Sequence, residues 1–386
     1  MRIFVVGMGV VSPLGIGVPS FRAALKAGAG ALGPLTLFAE AAPLPVGQVR
    51  HAIAAGNLPR THAMALMAAR EALADAAGPV DAVVLGGTTG GMLTTETQLE
   101  AGECRPEGFR YHGTGTTAEI LARECRCPGP AITVSTACSS GAAAIKIALE
   151  FLRAGRGRRV LAGGADSLCR LTCHGFHALQ LVDPEGARPF DRDRRGMSVG
   201  EGAAVLLLAA SESPPPNALA EVLGGGLSCD AFHPTAPHPE GAGAVRAIRA
   251  ALSDAGVVSA EIGYIHLHGT GTPDNDRSEA RALNAVFGLS GPPASSLKGA
   301  MGHPLAAAGA MGAAAAVLCV SEGLIPANTG CRVQDPEIRL ALADAPLRRT
   351  VQTALSNSFG FGGNNAALVF GAAHSAAGRA GKRRGL

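Results

Sequence analysis

Cys138 is the first residue whose type and position point to catalysis. It lies in segment 134–141 (VSTACSSG), between a short aliphatic strand and a helix. The apolar residues of that helix recur at helical spacing, at Ile145, Leu149 and Leu152. A helix N-terminus offers free N–H groups and the positive end of the helix dipole, which lower the pKa of a thiol and can hold an oxyanion. The position therefore predicts a nucleophile, although a buried structural cysteine fits it equally well.

Two histidines and a lysine form a second candidate group. His268 ends a strand-like segment before a Gly/Thr loop, where active-site groups of α/β folds gather. His303 precedes Pro304, a good first residue for the Ala-rich helix that follows, so the dipole should keep its imidazole neutral and able to donate to an oxyanion. Lys298 reaches this region if its loop folds back. The alternatives are a hydrogen-bonded strand-end histidine and a solvated loop lysine, and a zinc pair of His266 with His268 lacks an evident third ligand.

A glycine-rich segment near the C-terminus, 356–365 (SNSFGFGGNN), is the third candidate. Its glycines allow unusual backbone angles around two phenylalanines, one of which could swing, although a tight β-turn has the same composition. Two other glycine-rich segments, 7–9 and 86–91, are not phosphate loops. The first lacks the third glycine of a dinucleotide fingerprint, and neither has a Walker lysine.

Composition limits the class of protein. The chain has 386 residues, 47% hydrophobic and 16% charged, so it can bury a large core. It has no Trp and two Tyr, which gives few stacking platforms for nucleic acid. The longest apolar run, 304–320, predicts a buried helix and no membrane span, and the N-terminus reads as a strand and not as a signal peptide. Nine cysteines without framework spacing predict a reducing cytoplasm, and the Cys125/Cys127 and Cys169/Cys173 pairs are expected to be structural rather than metal ligands.

Short aliphatic strands alternate with Ala-rich helices, which predicts an α/β fold. The expected strands are 3–7, 82–86, 131–135, 160–163, 203–208, 262–268, 353–356 and 366–370. The expected helices are 19–27, 63–76, 140–155, 242–255, 276–287 and 304–322. A Ser/Pro-rich stretch at 211–216 divides two halves that each end in a Gly-rich strand pair, so we expect units at 1–212 and 217–373, followed by a flexible basic tail at 374–386.

In this order and spacing, the motifs resemble the elongating (KAS I/II-like) β-ketoacyl-[acyl carrier protein] synthases of the thiolase superfamily, over nearly the whole chain. The motifs that carry the resemblance are TACSS (136–140), PFDxxxRG (189–196), HGTGTP (268–273), KxxxxH (298–303) and NSFGFGG (357–363). The resemblance implies the duplicated five-layered thiolase fold (α-β-α-β-α) and a homodimer or a heterodimer with a related subunit. It also implies decarboxylative Claisen condensation of a Cys-bound acyl group with malonyl-carrier, in fatty acid, polyketide or polyene biosynthesis, without a metal or redox cofactor.

Roles follow from the resemblance residue by residue. Cys138 matches the acyl-accepting nucleophile, and His268 and His303 match the two histidines of a Cys-His-His triad. Lys298 matches the lysine that orders the site, and Asp276 and Glu279 match its acidic support. Thr270 and Thr272 match contacts for the phosphopantetheine arm. Phe361 matches the gating phenylalanine of the oxyanion hole.

The chain departs from the family pattern at several positions. Gly312 replaces the glutamate that usually accompanies the lysine, which leaves Lys298 without its customary partner. Thr89 replaces a bulky gate, Met197 a phenylalanine and Asn364 a threonine. Together with Met92, the first two of these are expected to line the acyl pocket and to make it accept long or stiff chains.

Two alternatives and one surface remain open. A coenzyme A-dependent thiolase normally has a second catalytic cysteine near the C-terminus, and segment 360–365 contains none. A chain-length-factor-like partner subunit lacks the nucleophile, whereas Cys138 is present. Acyl carrier proteins are acidic, so a basic docking face is expected, with Arg60, Arg105 and Arg110 as candidates.

Overall fold

The strands come from every part of the chain. The computed structural model describes residues 1–39, 44–53, 56–76, 78–103 and 106–373. Its strands are β1 (Arg2–Ser12), β2 (Gly15–Ile16), β3 (Gly33–Pro34), β4 (Pro45–Val46), β5 (Ala82–Gly86), β6 (Ala131–Val134), β7 (Arg159–Asp166), β8 (Gly202–Ser211), β9 (Ala220–Cys229), β10 (Tyr264–His266), β11 (Ala294–Ser295), β12 (Leu324–Ile325), β13 (Leu347–Arg348), β14 (Thr353–Gly360) and β15 (Asn364–Gly371).

The helices lie between these strands. They are α1 (Val18–Ala27), α2 (Arg60–Leu73), α3 (Met92–Glu100), α4 (Gly115–Glu124), α5 (Ser140–Arg153), α6 (Arg170–Ala178), α7 (Ala242–Ala255), α8 (Pro273–Phe287), α9 (Lys298–Met301) and α10 (Ala307–Glu322). Short 3₁₀ turns lie at Pro106–Phe109, Ser259–Glu261 and Phe361–Gly363. No helix in these described ranges is long and apolar enough to cross a membrane.

The main sheet repeats one strand order twice. One five-stranded set runs β1-β8-β7-β5-β6, and the other runs β9-β15-β14-β10-β11. The second order is the first with each strand replaced by its counterpart later in the chain. The two sets join where β1 pairs with β9, at Phe4 opposite Glu221 and Val5 opposite Ala220. The duplication that the resemblance implies is therefore visible in the topology, and the α/β thiolase fold is confirmed.

Helices α5 and α10 pack in the middle of the core. Both are rich in Ala and Gly, and α10 is buried at every position from Ala307 to Val320. A Cβ at Gly309 would lie 2.6 Å from the backbone nitrogen of Ala142, so only glycine allows the two helix backbones to approach this closely. This contact fixes the start of α5, which follows Cys138, against the start of α10, which follows His303.

Most predicted elements are confirmed with small changes at their ends. The sequence did not predict helices α3, α4, α6 and α9, strand β9, or the two-residue strands β2, β3, β4, β11, β12 and β13. Three glycines lower the strand propensity of β9, and a polar, Thr-rich composition hides α3. Helix α10 begins at Ala307, later than the predicted start at Pro304. The predicted basic tail, 374–386, lies outside the described residues.

Candidate active site

Cys138 lies on a tight turn between β6 and α5. The preceding residue, Ala137, has a φ of +52°, a left-handed conformation that is unfavourable for a residue with a side chain and is typical of functional turns. The hydroxyl of Ser139 donates to the carbonyl of Thr136 at 2.7 Å and holds the turn. The cysteine itself is 8% exposed. The turn thus presents Cys138 at the start of α5, as the sequence predicts.

The pKa of the Cys138 thiol moves in the opposite direction from the one expected. Burial raises the pKa to about 11, and the charge of Asp166 adds to the rise. The positive charge of Lys298 and the backbone N–H of Phe361 oppose it. The expectation of a lowered pKa is wrong because desolvation of the thiolate outweighs the helix N-terminus. In this structure the thiol is protonated at neutral pH, so acyl transfer must also move its proton.

His268 is held by its backbone just beyond β10. Its N–H donates to Oε1 of Glu279 at 2.8 Å, and the N–H of Gly269 donates to Oε2 at 2.8 Å. The ring of Phe359 packs against its imidazole with centroids 5.7 Å apart. Burial lowers the pKa of His268 well below its ordinary value, and the charge of Lys298 lowers it further. The imidazole is therefore neutral at physiological pH.

His303 faces His268 across the site. Their ring centroids are 5.4 Å apart with the rings nearly perpendicular, at 83°. The backbone of His303 bonds to the segment after α6, with its N–H donating to Ser198 at 2.8 Å and its carbonyl accepting from Gly200 at 2.9 Å. Because α10 begins only at Ala307, the helix dipole is not the main reason for a neutral ring. Burial lowers the pKa of His303, followed by the charge of Lys298.

Lys298 is buried, with 3% of its surface exposed, so the alternative interpretation of Lys298 as a solvated loop lysine is wrong. Its ammonium donates to the carbonyl oxygen of His268, and its Nζ is 3.4 Å from Nδ1 of the same residue. Burial lowers the pKa of Lys298 to about 8, against the opposing charge of Glu279. Burial likewise raises the pKa of Glu279 to about 7. The lysine thus contacts His268 directly and has an acidic neighbour on α8 despite Gly312.

Phe361 lies where β14 turns back into β15. Its backbone N–H acts to lower the pKa of the Cys138 thiol, so it lies near the sulfur, where the predicted second donor of an oxyanion hole is expected. Gly362 has a φ of +73°, which the turn requires, and the side chain of Asn364 donates to the carbonyl of Phe361 at 2.8 Å. The ring of Phe361 contacts that of Phe176 edge-on, with centroids 5.7 Å apart. Asn364 thus ties down the backbone that carries the candidate gate.

Asp276 supports the neighbouring loops. It accepts from the backbone of Phe190 at 2.7 Å and of Gly271 at 3.2 Å. It also faces Nε of Arg194 at 3.4 Å, and the same guanidinium binds Asp335 at 2.7 Å. The two residues of the predicted acidic pair therefore have different roles. Asp276 fixes the loop before α8, whereas Glu279 fixes the backbone of His268.

The predicted substrate-contacting residues have different surroundings. The hydroxyls of Thr270 and Thr272 lie 2.8 Å apart, just before the N-terminus of α8. Met92 is half-buried at the first position of α3. Met197 is buried, and its N–H donates to Leu181 at 2.8 Å. Their roles in binding stay predictions.

Thr89 is held by a residue that the motifs did not indicate. The carboxylate of Asp166, fully buried at the end of β7, accepts from the Thr89 hydroxyl at 2.8 Å and from its N–H at 2.7 Å. It also accepts from the N–H and hydroxyl of Thr88 and from the N–H of Ala306. Asp166 therefore connects the predicted gate to the start of α10. The sequence signals Asp166 only as an aspartate that follows the predicted strand 160–163, because its burial appears only in the structure.

The three arginines suggested for carrier docking are not equivalent. Arg60 forms a bidentate ion pair with the buried Glu201, at 2.6 and 2.9 Å, which favours a structural role, and its assignment to docking stays a prediction. Arg110 stacks over the ring of Tyr111, 4.5 Å from its centroid. Arg105 lies outside the described residues.

Two family models together match most of the chain. The model described as the N-terminal domain of β-ketoacyl synthase matches residues 1–213. The model described as its C-terminal domain matches residues 219–332.

Similarity to individual proteins likewise extends over nearly the whole chain. Nodulation protein E of Rhizobium meliloti is 34% identical over 96% of this chain and 98% of its own length. The 3-oxoacyl-[acyl-carrier-protein] synthase 2 of Synechocystis is 32% identical over 96% and 97%. Among solved structures, the ishigamide ketosynthase/chain length factor is 36% identical, with a TM-score of 0.89 over 96% of this chain and 98% of that one. The chain therefore belongs to the β-ketoacyl synthase family and is a condensing acyltransferase of the thiolase fold.

Proposed function

We propose that Cys138 is the acyl-accepting nucleophile and that His268 and His303 drive decarboxylation of the second substrate. The observation that carries this proposal is the convergence of three elements on one buried site. The turn before α5 brings Cys138, the end of β10 brings His268, and the loop before α10 brings His303. Lys298 contacts His268, and its charge lowers the pKa of both histidines and of the thiol.

The first half-reaction is acyl transfer. The sulfur of Cys138 forms a bond to the acyl carbon of a carrier thioester, and the bond from that carbon to the carrier sulfur breaks. A neutral imidazole of the site accepts the Cys138 proton and passes it to the carrier sulfur, which leaves as a thiol. The N–H groups of Cys138 and Phe361 hold the negative oxygen of the tetrahedral intermediate.

The second half-reaction is decarboxylation and condensation. Malonyl-carrier loses CO₂, and the electron pair of the broken bond moves into an enolate. His268 and His303 are neutral, so each can donate an N–H hydrogen bond to the enolate oxygen without transferring its proton. The enolate carbon then attacks the Cys138 thioester, the bond to sulfur breaks, and the departing thiolate takes up one proton from solvent, which balances the loss of CO₂ from the malonyl carboxylate.

The acyl chain should follow the apolar cluster beside Phe361. The ring that Phe361 contacts, Phe176, packs against a buried cluster formed by Phe38, Val46, Leu168, Cys173 and Val199. We place the acyl pocket here, with Thr89, Met92 and Met197 in its wall. This placement is compatible with fatty acyl and polyketide chains alike.

The partners follow from the relatives. We propose an acyl carrier protein as the donor of both substrates, as the name of the Synechocystis relative indicates for that enzyme, and a dimer with a second copy or a related subunit, as in the ishigamide ketosynthase/chain length factor. We place the enzyme in the cytoplasm, which is supported by the free thiol state of every cysteine within the described residues.

The test is product formation from purified components. The enzyme is incubated with acyl-carrier and malonyl-carrier, and the carrier is analysed by mass spectrometry. We expect a β-ketoacyl-carrier lengthened by the malonyl-derived acetyl unit, absent with Cys138→Ala and retained with Cys127→Ala, which alters a half-buried cysteine just after α4. Turnover of coenzyme A thioesters without any carrier, or no product at all, would contradict the proposal.

A further inference from the structure

His266 is a buried histidine that the proposed mechanism does not use. It is the last residue of β10, two residues before His268, and is 3% exposed. Within the described residues, no side chain or backbone group of another residue hydrogen-bonds to Nδ1 or Nε2 of its ring. Buried polar atoms in native proteins are nearly always paired with protein or with ordered water, so two unpaired nitrogens on one ring indicate a function.

The ring of His266 occupies the space beside Gly312. A Cβ built on Gly312 would lie 2.8 Å from Nδ1 and 2.9 Å from Cε1 of His266, and 2.9 Å from Oγ of Ser356. These distances are shorter than real Cβ contacts, so a side chain at 312 and the His266 ring exclude each other. Position 312 is where the family resemblance places a glutamate beside the lysine. In this chain an imidazole from the neighbouring strand fills that space.

The two groups differ in charge. Burial lowers the pKa of His266 to about 3, and the positive charge of Lys298 lowers it further, so the ring is neutral where a glutamate would be an anion. Among the described residues, the carboxylates that act on Lys298 are therefore Glu279 and Asp276, both on α8. The titratable groups that act on it are Glu279 and Asp276 from α8, Cys138 from the turn before α5, His266 and His268 from β10, and His303 from the loop before α10.

We propose that His266 is a positioning residue that takes the place of this carboxylate and supplies Lys298 with a neutral hydrogen-bond acceptor through ordered water. The proposal rests on the function proposed above for Lys298. Its consequence is that His266 and Gly312 act as a matched pair. A larger residue at 312 is tolerated only when the imidazole is removed.

The first test separates the nitrogens of His266 from its volume. His266→Phe keeps an aromatic ring and removes both nitrogens, whereas His266→Gln keeps a hydrogen-bonding group. We expect His266→Phe to retain its melting temperature and acyl loading but to decarboxylate malonyl-carrier about tenfold more slowly, as for one lost hydrogen bond to a charged group. His266→Gln should recover part of the rate. Equal rates for wild type and His266→Phe would overturn the proposal, while wild-type inactivity would count against the proposed function instead.

The second test is a double-mutant cycle with a control on the same helix. Gly312→Ala should lower the melting temperature and the rate of decarboxylation. Adding His266→Ala should restore the melting temperature, because the clash is removed, while the rate should return only to that of His266→Ala alone. Gly309→Ala, one turn earlier on α10 against the backbone of Ala142, should not be rescued by His266→Ala. Additive effects at 266 and 312, or equal rescue of both glycine variants, would refute the pairing.

A third variant restores the carboxylate. In His266→Ala/Gly312→Glu, an anion returns beside Lys298 and should raise the pKa of its ammonium. The alkaline midpoint of decarboxylation should then lie above that of the wild type, and the rate should exceed that of His266→Ala. An unchanged midpoint in a folded, active double variant would show that position 312 does not act on Lys298.

Discussion

The charge of Lys298 should control decarboxylation between pH 7 and pH 9. Its pKa is about 8 because burial disfavours the ammonium. Since the folded-state pKa is lowered, the charged form is lost earlier than in an exposed lysine as the pH rises. The ammonium should be about nine-tenths charged at pH 7 and about one-tenth charged at pH 9.

The size of the effect follows from the geometry of the site. The Nζ of Lys298 is 3.4 Å from Nδ1 of His268. An enolate oxygen bound to the other side of that ring lies one imidazole and one hydrogen bond further, at roughly 8 Å. At an effective dielectric constant of about 20, a unit charge at that distance stabilises the enolate by about 2 kcal/mol, which corresponds to about 30-fold in rate.

The assay is CO₂ release from malonyl-carrier by the Cys138→Ala variant, in which thiol ionisation and condensation cannot contribute. We expect the rate to fall about 30-fold with a midpoint near pH 8. Histidine protonation should cause no loss near pH 6.5, because both histidines remain neutral there, so a loss on the acid side would report Glu279, whose pKa is about 7. Adding Lys298→Met should give the low rate at every pH. A midpoint that persists near pH 8 without Lys298, or a Lys298→Met rate equal to that of its parent, would refute the reasoning.

Three further predictions concern other parts of the site. Replacing His268 or His303 with Ala should slow decarboxylation about 100-fold or more, measured as CO₂ release, while intact-mass analysis still shows acyl loading; a normal rate in both variants would exclude their role as donors. Asp166→Ala leaves five donors without their acceptor and should lower the unfolding free energy by more than about 4 kcal/mol in thermal melts, far more than Thr89→Val, which removes one of them. If carrier docking is electrostatic, the apparent KM should rise with salt and Arg110→Ala should weaken that dependence; a salt-independent KM would contradict it.

The positions of the proposed reacting groups could be predicted because their signals are local. A strand-to-helix turn marks Cys138, and strand and loop ends mark His268 and His303. The alternation of short strands and Ala-rich helices was enough to predict an α/β fold. Sequence patterns of this kind report which elements form and where their ends lie.

What could not be predicted depends on burial and on contacts between distant segments. The pKa of Cys138 depends on how completely the turn is covered, which no local pattern reports. The bonds from Asp166 to Ala306 and from Arg60 to Glu201 join residues more than a hundred positions apart. The place of His266 against Gly312 likewise appears only when α10 packs on β10.

The most direct test of the account is the location of the acyl group in a single turnover. The enzyme is mixed with acyl-carrier alone, and the protein is examined by intact mass and then by peptide mapping. The account predicts one acyl group per chain, on the peptide that contains Cys138, and none in Cys138→Ala. An acyl group on another cysteine, such as the exposed Cys229, or undiminished loading of Cys138→Ala, would contradict the assignment of the nucleophile.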